Sequence, residues 1–105
     1  MMDTPWIDVC AETDFDSVDR KEVTGPDGEE IIVIRKDRQY HAVSNLCTHA
    51  QALMSGAIID GYEIECPLHG ARFDIRSGRV TAPPATAPLK RYAVRVADGR
   101  VWVRI

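Results

Sequence analysis

Two short clusters in this 105-residue chain bring together residue types that bind metal: Cys47-Thr48-His49 and Cys66-Pro67-Leu68-His69, with residues 50–65 between them. Each cluster offers one thiolate and one imidazole. In Cys-x-His, both side chains reach one site only if the backbone turns between them. In Cys-x-x-His a tight turn brings both side chains round. Pro67 stiffens that turn, and Gly70 just after it accepts conformations that other residues resist. Two such loops on the arms of a hairpin would clamp a metal centre from opposite sides. Two cysteines and two histidines suit a tetrahedral structural zinc site, but zinc spacings usually pair Cys with Cys and His with His. A mixed pair in each loop lets both thiolates reach one metal and both imidazoles another, which favours a two-iron cluster. The bland alternative is that four such residues fall at these spacings with no metal. Colour separates the two metals, because an iron–sulfur protein is coloured and a zinc protein is not.

Such loops need a scaffold, and the flanking sequence reads as short strands and tight turns. Trp6–Val9 and Val18–Val23 are strand candidates, the second followed by the turn Gly25-Pro26-Asp27-Gly28. Ile31-Ile32-Val33-Ile34 is a β-branched run, Lys36-Asp37-Arg38 turns, and Tyr40–Val43 resumes, which reads as a hairpin. Arg91–Val96 and Val101–Ile105 alternate on either side of Asp98-Gly99, a strong hairpin signal. No segment supports a helix of ten or more residues; Ala50–Met54 allows one brief turn at most. The class is all-β: an antiparallel sandwich or barrel scaffold from residues 1–43 and 88–105, with a loop-built subdomain at roughly 44–87. That middle holds both clusters, a hairpin around Ile64-Glu65, and the proline-bearing stretch Ala82-Pro83-Pro84-Ala85-Thr86-Ala87-Pro88.

Length and composition narrow the function classes. One hundred and five residues make one domain, 1–105. No apolar run approaches the ~20 residues of a membrane span, and the N-terminus lacks the features of a signal peptide, so a soluble cytoplasmic protein is the default. If Cys47 and Cys66 serve metal, only Cys10 is left and no internal disulfide forms, which fits a reducing compartment. Cys10 itself reads as a small buried hydrophobe. The net charge is −3, without a basic patch interleaved with aromatics, which argues against nucleic acid. The charge is unevenly spread. Residues 1–30 hold ten acids against two bases, and residues 71–105 hold eight bases against two acids. Either this asymmetry steers a charged partner, or the two ends fold together and neutralise each other. His41 reads as an ordinary strand histidine, Trp6 and Trp102 as scaffold packing, and Arg72, Arg76 and Arg79 as either a docking surface or a solvated face.

Taken together, Cys47-Thr48-His49, the gap, Cys66-Pro67-Leu68-His69-Gly70, Ala71-Arg72-Phe73-Asp74, the Ser77-Gly78 turn and Pro83-Pro84 resemble the Rieske [2Fe–2S] family. The resemblance covers essentially the whole chain, and the length is similar to that of the small Rieske ferredoxins of bacterial aromatic-ring-hydroxylating dioxygenase systems. It implies the Rieske fold, with Cys47 and Cys66 binding the inner iron, His49 and His69 binding the outer iron, and Pro83-Pro84 in a third loop that covers the cluster. The implied function is a soluble one-electron carrier between a ferredoxin reductase and a terminal non-haem iron oxygenase, with a monomer as the default state. The alternative is a redox-active small subunit of a reductase such as nitrite reductase. Oxygenation by the chain itself is not expected. Once the cluster takes His49 and His69, only His41 remains toward a two-histidine, one-carboxylate iron site.

The chain departs from the high-potential branch of the family. Ala52 and Leu68 stand where that branch carries an extra disulfide, and Ala71 and Phe73 stand where it carries serine and tyrosine hydroxyls. Hydrogen bonds to the cluster and its sulfur ligands stabilise the more negative, reduced state, so their loss lowers the potential. The expected midpoint lies near the lower end of the ~−150 to +300 mV Rieske range, and a redox titration giving a value above about +100 mV would refute this reasoning.

Overall fold

A computed structural model describes residues 5–48 and 52–105; residues 1–4 and 49–51, and with them His49, lie outside the described residues. Ten strands follow in chain order: β1 (Trp6–Ala11), β2 (Arg20–Thr24), β3 (Glu30–Lys36), β4 (Gln39–Ser44), β5 (Ile58–Asp60), β6 (Glu63–Glu65), β7 (Arg72–Asp74), β8 (Val80–Ala82), β9 (Arg91–Ala97) and β10 (Arg100–Arg104). A short 3₁₀ turn, Glu12–Asp16, joins β1 to β2. Six strands form one antiparallel sheet in the order β1-β10-β9-β4-β3-β2, whose two end strands approach each other so that the sheet nearly closes into a barrel. The other four form a small antiparallel sheet, β5-β6-β7-β8. The all-β expectation holds, and among the described residues no helix is long and apolar enough to cross a membrane.

The β-branched run in β3 explains how two cores share one scaffold. Side chains along a strand alternate faces, and Ile31 to Ile34 are all buried. Ile32 and Ile34 pack with Val43 of β4 into a core that contains Cys47 and Cys66. Ile31 and Val33 pack with Ala42, Val101, Val103 and Cys10 into the barrel interior. Each such side chain contributes about 1.5–3 kcal/mol when fully removed from water. Cys10 sits in the barrel core as expected, where burial raises its thiol pKa.

Local chemistry sets the turns. Asp98 (φ 55°) and Gly99 (φ 74°) take the paired left-handed conformations of a tight hairpin between β9 and β10. That hairpin places Arg100 beside Asp8 across the β1–β10 pair, Nη2 to Oδ1 2.9 Å, so part of the charge asymmetry is neutralised between the two ends of the chain.

Three local expectations need correction. The second strand begins at Arg20 rather than Val18, because the preceding 3₁₀ turn buries Phe15 edge-on against Tyr40, with ring centroids 5.2 Å apart. The small hairpin turns at Gly61-Tyr62, three residues before the position expected, and Ile64 is a buried mid-strand residue opposite Ile59. Of the suggested turn at Ala50–Met54, Ala50 and Gln51 lie outside the described residues, and Leu53 is extended in an antiparallel bridge with Leu46.

Gly78 ties the small sheet to the segment that returns to β9. Its carbonyl accepts the Leu89 N–H at 2.8 Å, and its φ is +78°. A Cβ there would sit 2.2 Å from the Leu89 carbonyl oxygen. Gly61 has a similar φ, +62°, but open space around it. Gly61→Ala should therefore cost only the left-handed backbone term of about 1–2 kcal/mol. Gly78→Ala should cost clearly more, because a backbone carbonyl must also move. Thermal unfolding of the two variants checks the order; equal midpoints would contradict it.

Candidate metal centre

Two loops carry the metal-binding residue types, and they are closed in the same way. The first leaves β4 and passes through Cys47; the second joins β6 to β7 through Cys66. In each, the cysteine N–H donates to the carbonyl five residues on: Cys47 to Ala52 at 2.8 Å, Cys66 to Ala71 at 2.7 Å. In each, the residue before the cysteine bridges antiparallel to the residue six after it: Leu46 with Leu53, and Glu65 with Arg72. In the second loop the Gly70 N–H also returns to the Cys66 carbonyl, 3.2 Å, with Gly70 at φ +75°. The near-repeat seen in the sequence is thus a repeat in backbone geometry.

Burial falls steeply along the second loop. Cys66 is 1% exposed and Cys47 0%, and both pack with Met54, Ala71, Phe73 and Leu89. Pro67, Leu68 and His69 are all exposed, Leu68 at 58%. Thiols therefore lie inside and the imidazole of His69 outside. None of the three cysteines is in a disulfide. Among the described residues the two loops thus offer two buried thiols and one surface imidazole. This donor set fits a two-iron cluster, which spreads its ligands over two metals.

The scaffold grips the first loop through edge strand β2. Arg20 Nη1 donates to the carbonyls of Ser55, at 3.2 Å, and Ala57. Two residues along, Glu22 Oε1 accepts from the Asn45 amide nitrogen at 2.9 Å. Asn45 is fully buried, and its Oδ1 accepts the Met54 N–H at 2.9 Å, which joins the two ends of the loop around Cys47. Sequence reasoning did not single out Asn45; its only signal is an amide in an otherwise apolar step from β4 to Cys47. The proline-bearing third segment also meets this loop: Thr48 Oγ1 donates to the Ala87 carbonyl at 2.6 Å. Ala71 and Phe73 are fully buried in the core that holds both cysteines. Arg72 lies on the outer face of the small sheet between Glu63, 3.2 Å, and Glu65, 3.0 Å.

A family model for the Rieske [2Fe-2S] domain matches residues 5–93. The chain belongs to the Rieske family. Its cofactor is accordingly the Rieske-type [2Fe–2S] cluster rather than the zinc that the ligand types also allowed. This Rieske protein is similar to the ferredoxin component of the naphthalene 1,2-dioxygenase system of Pseudomonas aeruginosa, 38% identical over 102 residues and 97% of each chain. It is also similar in structure to the ferredoxin of carbazole 1,9a-dioxygenase from Nocardioides aromaticivorans IC177. That likeness has a TM-score of 0.84 at 33% identity and covers 96% of this chain and 98% of the other. A chain in the complex of reduced oxygenase and oxidized ferredoxin in carbazole 1,9a-dioxygenase gives a TM-score of 0.88 at 34% identity, covering 94% and 92%.

The Asn45 clasp yields a test of how the Rieske site is held. Asn45→Ala removes a buried acceptor and donor and should destabilise the first loop by about 1–3 kcal/mol. Asn45→Asp keeps the acceptor toward Met54 but sets a carboxylate against Glu22, and should be at least as damaging. Bleaching of the cluster's visible absorbance on mild heating should be faster in both variants than in the parent protein. Parent-like bleaching of Asn45→Asp would contradict the clasp.

Proposed function

We propose that this protein is a soluble cytoplasmic ferredoxin that carries single electrons from a ferredoxin reductase to a terminal Rieske non-haem iron oxygenase acting on an aromatic compound. The observation that carries the proposal is the gradient along Cys66-Pro67-Leu68-His69, sulfur buried and imidazole at the surface, in a chain similar over 97% of its length to a dioxygenase ferredoxin component. The relatives are named as ferredoxin components of dioxygenase systems, so the role is that of an electron-transfer component and not of the catalyst.

Cys47 and Cys66 would hold one iron of the cluster, and His49 and His69 the other. The cluster, when bound, supplies a centre that takes up and releases one electron at a time. Fully buried thiols keep the sulfur side away from water. The exposed imidazole of His69 offers a short path to a partner. Pro67 and Leu68 flank it with apolar surface suited to a small, transient encounter. The partner for delivery is a terminal oxygenase, in line with the oxygenase–ferredoxin complex of the carbazole system. The chain acts as a monomer. Buried Ala71 and Phe73 offer no side-chain hydroxyl to the cluster or its ligands, which supports the low potential expected from sequence.

Reconstitution tests the function: with a dioxygenase-system reductase and oxygenase, the purified protein should be required for substrate-dependent oxygen uptake. Failure to couple any such pair, with the cluster intact, would overturn the role. Ligation is tested separately. Cys47→Ser and Cys66→Ser should lose the cluster or hold it poorly. His49→Ala and His69→Ala should lose the paramagnetic signature of the reduced Rieske centre, and an unchanged signal in either would refute the assignment.

A further inference from the structure

β4 and β9 are hydrogen-bonded neighbours for only two residue pairs, Ala42 with Tyr92 and Val43 with Arg91. Beyond them the strands part, β4 staying with β3 and β9 with β10. The fork holds a cavity of about 140 Å³ lined by Tyr40, His41, Ile75, Arg76, Arg91 and Val94, among others. His41 Nε2 is buried and has no hydrogen-bond partner. Arg76 is partly engaged: its Nε and Nη2 donate to the Asp74 carboxylate at 3.2 and 2.9 Å, and its guanidinium covers the Tyr62 ring at 4.2 Å. The Arg91 side chain makes no ion pair or hydrogen bond among the described residues.

We propose that this fork binds a small oxyanion, held by Arg91 and Arg76 with His41 as a further donor. The local charge is unbalanced, two guanidiniums against the single carboxylate of Asp74. Burial first, then Arg76 and Arg91, push the His41 pKa below the ordinary histidine value, against the opposing pull of Asp74. The fork is therefore electropositive and partly desolvated, a setting in which an anion gains most. An oxyanion supplies what is missing: acceptors for the His41 ring nitrogen and a counterion for Arg91, whose planar donor fork matches carboxylate and phosphate oxygens. Size narrows the ligand class. At about 140 Å³ the cavity has room for a phosphate or a carboxylate group. Nucleotides and other large metabolites need several-fold more, roughly 300–1,000 Å³.

The test is calorimetric titration of the cluster-loaded protein with inorganic phosphate and, separately, with sodium acetate, chloride being adjusted to keep ionic strength constant. Phosphate should bind saturably at one site. Arg91→Gln, an exposed position whose loss leaves the cluster spectrum intact, should weaken binding about tenfold or more, as expected for loss of charge-assisted hydrogen bonds. Arg91→Lys, which keeps the charge and loses the fork, should fall between. Binding by acetate as well would mark the site as one that accepts a carboxylate, such as an acidic side chain on another protein. Binding by phosphate alone would mark it as a site for a free tetrahedral anion. Non-saturating heats with both anions, or unchanged affinity in Arg91→Gln, would overturn the proposal.

Discussion

Everything in this fold depends on a pair of central strands being buried on both faces. β3 and β4 cannot face water on either side, because Ile32, Ile34 and Val43 serve one core while Ile31, Val33 and Ala42 serve the other. A one-residue slip between them would exchange the two sets and leave neither core filled. The barrel and the ligand-bearing loops are therefore not independent assemblies. The same hydrophobic free energy that closes the barrel also presents a ready floor beneath Cys47 and Cys66.

On that floor the site is built by repetition. One backbone device, a cysteine N–H returned to the carbonyl five residues on, is used twice. It turns each cysteine toward the core and, in the second loop, leaves Leu68 and His69, two and three positions on, at the surface. Depth rather than distance along the chain separates the Cys66 thiol from the His69 imidazole, and that depth suits an electron-carrying role.

The parts of this organisation written in residue type and period were legible beforehand. The β-branched run of β3, the Asp98-Gly99 turn and the two Cys/His clusters each carry a local signal that tertiary packing does not override. The 3₁₀ turn was not legible, since its only purpose is to bring Phe15 against Tyr40, a partner twenty-five residues away in sequence. The turn at Gly61-Tyr62 was misplaced because Glu63-Ile64-Glu65 is too short for its alternation to stand out. Asn45, Arg20 and Glu22 act through contacts across strands, and no spacing rule reaches from β2 to the first loop. The fork at His41 was hidden for a similar reason: a histidine in a strand looks ordinary until the neighbouring strand departs.

The ladder between Val43 and Arg91 has a consequence for how such a molecule can change over time. The chain leaves the large sheet just after one rung and re-enters it at that same rung, although forty-seven residues intervene between these two positions. Departure and return are thus about 5 Å apart. Whatever is spliced between two points so close imposes almost no strain on its host, and lengthening it adds little closure entropy. The junction itself therefore tolerates insertions in the redox module, so long as the core shared with β3 and the holds from Arg20 and Glu22 are kept.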